Sequence, residues 1–107
     1  MADVIQAIED VKQYDSNVDE QLVTSIFRSL GPVVYNRDTR YVACSDAYEL
    51  EMVREGFLRK QLGIEGTNGE LTDAIQQVCR TMAKSQFKLR VTFYYLLVKK
   101  YSKQNLF

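Results

Sequence analysis

Histidine is absent from all 107 residues. With it go the usual general base near neutral pH and the commonest metal ligand, so no metal site, no cofactor and no catalytic residue is expected. Cysteine is scarce. Cys44 and Cys79 stand far apart and form no CxxC pair, which reads as two reduced, buried thiols of a cytoplasmic protein. Apolar runs are short, and none approaches the length of a membrane span. The start, MADVIQAIEDVK, lacks the basic end and apolar core of a signal peptide. The glycine-containing stretch Glu65–Gly69 has neither the lysine nor the preceding strand of a phosphate-binding loop.

Charge of one sign is missing locally rather than globally. Fourteen basic and fourteen acidic residues cancel. Residues 1–20 nevertheless hold six acids against one base, and residues 74–107 hold seven bases and no acid. Such blocks suit an acidic partner for the C-terminal third, or two chain ends that lie near each other, or solvated faces. A chain of this length and ordinary composition is expected to form one domain with a core of its own.

The dominant feature is Gln86–Tyr101, QFKLRVTFYYLLVKKY, with its apolar run Val91–Val98 broken only by Thr92. About sixteen residues is too long for a typical strand, so the period predicts a helix. Phe87, Val91, Tyr94, Val98 and Tyr101 share one stripe, which Leu89, Phe93, Leu96 and Leu97 widen past half the circumference. Lys88, Thr92, Lys99 and Lys103 fill the narrow polar remainder. A helix that apolar must be wrapped by others. Ser85 is its expected N-cap. Arg90 falls inside the apolar arc. Either it snorkels outward, or it is partly buried and paired with a carboxylate of the Asp46–Glu51 segment, because an unpaired buried charge is prohibitive.

Four further helices are expected. Val4, Ile5, Ile8 and Val11 mark a short one over residues 2–13. Val18, Leu22, Val23, Ile26, Phe27 and Leu30 mark a second over 18–30, capped by Ser16 or Asn17 and stopped by Gly31-Pro32. A third over 46–62 buries Leu50, Val53, Phe57, Leu58 and Leu62. It opens on an Asp46/Glu49 capping box, has Gly56 as the mark of a close helix crossing, and ends at Gly63 with a contact from Ile64. A fourth over 70–83 repeats Leu71, Ile75, Val78 and Met82. Between the second and third, Pro32–Ser45 reads as a loop with a short helical turn begun by Asp38; the rival is a hairpin of Val33–Tyr35 with Arg40–Cys44. The fold class is therefore all-α, a compact bundle of about five helices around a central C-terminal helix.

These pieces resemble a bacterial family known as domain of unknown function 2853. The resemblance rests on Gly31-Pro32 with Tyr35-Asn36, Val42-Ala43, Ser45-Asp46, Glu49-Leu50-Glu51 with Val53, and Phe57-Leu58 with Lys60. Leu62-Gly63 and Tyr94-Tyr95 with Leu97, Lys99 and Lys100 complete it. It covers roughly residues 22–101 and implies a small soluble helical protein, with no activity, substrate or catalytic residue to carry over. Where the resemblance leads one to expect asparagine before Phe57-Leu58, this chain has Gly56, so no role of that asparagine transfers.

Three functions compete on the residues. The favoured one is a protein-interaction or self-associating module, a homodimer or a partner protein meeting Tyr94, Tyr95 and Tyr101 beside Phe107, since tyrosine suits surfaces that are apolar at one end and wet at the other. The second is a ligand or anion site, in one version enzymatic, on Tyr35, Asn36, Arg37, Asp38 and Arg40, with the two guanidiniums as a clamp and Cys44 as a nucleophile only if exposed with a lowered pKa. The third is nucleic-acid binding through Arg80, Lys84, Lys88, Lys99, Lys100 and Lys103. Zero net charge and the lack of a recognition-helix signature weigh against it.

Overall fold

The computed structural model describes residues 3–107. Helix α1 (Val4–Lys12) opens on Asp3, whose carboxylate accepts from Gln6 N. The expected start at Ala2 lies outside the described residues. Ala7 and Val11 are its buried positions. Ile5, expected on the apolar face, is 69 % exposed.

Helix α2 (Glu20–Leu30) is capped by Asp19, which accepts from Leu22 N, rather than by Ser16 or Asn17. It buries Leu22, Val23, Ile26 and Phe27. Gly31, at a φ of 59°, reverses the chain in a region where a side chain would be strained. A 3₁₀ turn, Gly31–Tyr35, follows.

The Pro32–Ser45 segment does hold a loop with a helical turn, but the turn starts at Asn36, whose O accepts from Arg40 N at 2.9 Å, rather than at Asp38, and a strand follows it. Strand β1 (Tyr41–Val42) pairs antiparallel with β2 (Lys88–Leu89), Tyr41 opposite Leu89 and Val42 opposite Lys88. The partner strand is thus supplied by the start of the dominant C-terminal stretch, not by Val33–Tyr35. That stretch also enters its helix later than its apolar period suggests. Helix α5 spans Arg90–Lys100, and Leu89 precedes it with no side-chain cap. Ser85 is instead hydrogen-bonded to Tyr14.

Helix α3 (Ala47–Met52) runs directly into a π-helical segment, Val53–Gln61. The buried stripe is as the sequence predicts: Val53, Phe57, Leu58 and Leu62 are in the core. The capping box is not formed. Asp46 accepts from Tyr48 N, while Glu49 is drawn away to Arg90. Gly63 ends the helix at a φ of 68°, and Ile64 N reaches back to Leu58 O at 2.9 Å. Helix α4 (Asn68–Thr81) begins two residues before the expected start. Its capping box is made by Thr67 and Glu70.

Helix α5 is the centre of the bundle. Every residue from Arg90 to Tyr95 is buried, as are Leu97 and Val98. Thr92, expected on the polar strip, and Tyr95, expected at an interface, are fully enclosed because α1 and the turn after it cover that side. Thr92 donates to Asp10, and Tyr95 donates to Asp15 at 2.6 Å. Burial pushes the Asp10 carboxyl above its usual range, and the Thr92 bond only partly offsets this. The acidic N-terminal segment thus meets α5 through hydroxyls rather than through its lysines. The fold is all-α apart from the short β1–β2 ribbon, and among the described residues no helix is long and apolar enough to cross a membrane.

Cys44 and Cys79 are joined in a disulfide, with Cα atoms 6.1 Å apart. The expectation of two reduced thiols is corrected, and with it one argument for a cytoplasmic protein. The partners come from a loop and from a helix face that only the tertiary fold brings together. Cys44 carries no free thiol, so its conditional role as a nucleophile is removed.

Candidate functional site

Arg90 begins α5 and is 8 % exposed. Its guanidinium is held by four hydrogen bonds. Nε donates to Thr39 O at 2.6 Å, Nη1 to Tyr94 Oη at 3.1 Å, and Nη2 to both Tyr41 O at 3.1 Å and Glu49 Oε1. Of the two readings of Arg90, the paired one is correct, and its partner lies in the expected segment. The backbone completes the grip: Arg90 N donates to Arg40 O at 2.6 Å. One side chain therefore ties α3, the 39–41 segment and α5 to a single point.

Above this pair lies a cavity of about 350 Å³. Leu30 and Val33 close one side, and Phe57 with Tyr94 forms another. The Phe57 and Tyr94 rings stack at 3.7 Å between centroids and 12° between planes. Tyr48 and Met52 stand at the mouth, 68 % and 50 % exposed. Both are large and apolar enough that such exposure is notable beside an apolar opening.

The helix winding makes this wall. Met52 and Gln61 both line the cavity, with Gly56 and Phe57 between them. At 3.6 residues per turn, positions nine apart are two and a half turns apart and face opposite ways. The wider π turn brings them to one side. Gly56 is not a helix crossing. A Cβ placed there would meet nothing within 4 Å, so the missing side chain is open space on the cavity wall.

The electrostatics of the floor are nearly self-contained. The charges of Arg90 and Glu49 compensate each other. A guanidinium has five N–H donors, and four are used, leaving one on Nη1. Glu49 Oε2 makes no hydrogen bond among the described residues. Burial raises the Tyr94 phenol above its ordinary value, opposed in part by the Arg90 charge, so Tyr94 is a neutral acceptor and donor. The Arg90–Glu49 pair thus keeps one N–H and one carboxylate oxygen without a partner among the described residues, beside the neutral Tyr94 hydroxyl, and all three residues line the cavity.

The loop residues singled out from sequence are only partly gathered. Asn36 is structural: its Oδ1 accepts from Asp38 N at 2.9 Å. Tyr35 packs edge-on to Phe27 at 6.0 Å and is 60 % exposed. Asp38 is exposed. Arg37 and Arg40 do converge, on a small recess with Tyr41 and Phe87.

The tyrosine surface proposed for self-association is not a surface. Tyr94 and Tyr95 are in the core, and Tyr101 is half-buried. Sequence reasoning missed Tyr48, Met52, Gly56 and Gln61. The signal for the last three was their spacing of four then five residues, which suits no α-helical face. Among the described residues no group of histidine, cysteine or carboxylate side chains comes together to hold a metal.

A family model described as "Protein of unknown function (DUF2853)" matches residues 6–105. No curated protein matches the chain.

Proposed function

The chain belongs to the DUF2853 family, for which no function is known, and from its own geometry we propose that it is a binding protein for a small, uncharged, largely apolar molecule. The observation that carries this reading is the cavity beside Gly56, with apolar walls and a charge-compensated Arg90–Glu49 floor. Its volume lies in the range of small-molecule sites, which are mostly apolar with a few convergent polar groups. A π-helical wall supports the reading, since such segments are frequent at functional sites.

The floor selects the ligand. A carboxylate would face Glu49 and an ammonium would face Arg90, so each charge meets a like charge beside its partner. A neutral group with one donor and one acceptor, such as a carboxamide, satisfies both free positions at once.

The test is an amide NMR titration followed at Gly56 and Arg90, with benzamide, benzoate and benzylamine as probes. Benzamide is expected to shift both signals saturably and more tightly than either charged probe. Gly56→Phe fills the open space and should abolish that response while leaving the melting temperature unchanged or higher. Equal binding of benzamide to the variant, or no response in the parent protein, would overturn the proposal.

A further inference from the structure

Arg37 and Arg40 carry two guanidiniums that form no ion pair among the described residues. They border one recess of about 180 Å³, whose other walls are the rings of Tyr41 and Phe87. This recess is separate from the Arg90 cavity and shares no lining residue with it. Three features set it apart from an ordinary basic surface. Arg40 Nε is buried and has no hydrogen-bond partner, an arrangement that proteins rarely leave unsatisfied. The Arg40 guanidinium lies 5.2 Å from the Tyr41 ring centroid, within the range of cation–π attraction. Phe87 remains 64 % exposed while leaning on Tyr41 at 5.4 Å and 42°.

The recess is also fixed in place. Tyr41 is set by the β1–β2 ribbon, and Phe87 immediately precedes β2. From the inner side, Arg90 binds the carbonyls of Thr39, Arg40 and Tyr41. Ordering of this segment does not have to be supplied by a ligand. Asp38, the nearest carboxylate in sequence, lines the neighbouring depression instead.

We propose that this recess is an anion site for a small molecule whose phosphate or carboxylate is attached to an aromatic ring. The oxyanion accepts from the Arg40 guanidinium, with Arg37 as a second cation. The ring lies on Phe87 and Tyr41. Neither half is sufficient: the guanidiniums alone suit any anion, and the rings alone suit any apolar body.

The experiment is an amide NMR titration of the whole protein followed at Arg40, Tyr41 and Phe87. The probes are phenyl phosphate, benzoate and inorganic phosphate. At least one aromatic anion should bind saturably, and roughly tenfold or more tighter than inorganic phosphate, because the ring contributes. Tighter phenyl phosphate assigns the site to aromatic phosphates, and tighter benzoate to aromatic carboxylates. Arg40→Lys keeps the charge but removes the planar fork, and should weaken binding by roughly tenfold. Arg37→Gln, at an exposed position, should weaken it without affecting folding. The proposal is overturned if no aromatic anion gives a saturable shift, if inorganic phosphate binds equally well, or if both variants bind as the parent does.

Discussion

Among the described residues, Arg90 and Thr92 are the buried polar side chains, and they sit two residues apart in the first turn of the same helix for different reasons. Thr92 answers a single carboxylate, Asp10. Arg90 answers a carboxylate, two carbonyls and a phenol. Removing one member of a buried pair costs more than the pair itself contributes, because the remaining charge is stranded. Glu49→Gln leaves the guanidinium without its counter-charge and is expected to destabilise by about 3 kcal/mol. Arg90→Met loses the same pair together with three further bonds. In urea unfolding, the double variant should therefore cost less than the sum of the two singles, by about 1 kcal/mol or more. Strictly additive costs would mean that the two side chains are not coupled. The pairing itself was legible, since a charge in the middle of an apolar arc requires a partner and the nearest carboxylates in a facing helix were few. The cavity above it was not, because its walls come from separate segments of the chain.

At the level of elements, α1 and the turn into α2 are held to α5 by a hydroxyl. Tyr95 donates to Asp15 at 2.6 Å and accepts from Asp19 N at 3.1 Å. Asp19 in turn caps α2. Burial, reinforced by the bond to Asp15, pushes the Tyr95 phenol up to about 12. An acid whose folded pKa is raised stays protonated in the folded chain while the unfolded chain ionises near 10. The stabilisation is thus complete below pH 10 and is lost between there and about 12. Tyr95→Phe is expected to cost about 1–2 kcal/mol at neutral pH, measured by thermal or urea unfolding. The gap between the two proteins should narrow as pH rises through this window, and a constant gap would refute the linkage. This contact also shows where periodicity stops informing. Tyr95 occupies the polar strip of the helical wheel, yet a tyrosine can be buried there once its hydroxyl has a partner. Helices α2 and α4 were readable because their apolar residues recur every third or fourth position. The start of α5 was not, because Lys88 and Leu89 are recruited into a ribbon by Tyr41 and Val42, a pairing that no local pattern specifies. The π winding after Met52 was hidden for a related reason: its stripe of Val53, Phe57, Leu58 and Leu62 fits a helical period of either width.

For the whole molecule, the Cys44–Cys79 bond ties the segment between the Arg37–Arg40 recess and helix α3 to α4. Cys44 stands two residues after β1 and two before Asp46, the cap of α3, so in the chain it lies between the Arg37–Arg40 recess and the helix that carries Glu49. Cys79 anchors this junction to α4. The bond closes a loop of 35 residues' separation, for which restriction of the unfolded chain stabilises by about 3–4 kcal/mol. For a protein of this size that corresponds to a fall of at least about 10 °C in melting temperature on reduction. Dithiothreitol and the Cys44→Ser/Cys79→Ser variant should produce the same fall, and the parent protein should take up thiol-labelling reagent only after reduction. Because α1, α2 and α5 pack without help from the bridge, their amide NMR signals should keep their positions, while those of Ser45–Glu49 and of Arg40 shift. Loss of the α5 pattern on reduction would place the bridge inside the core's own stability. An unchanged melting temperature, with both thiols labelled in the untreated protein, would restore the reduced-thiol reading that composition alone suggests.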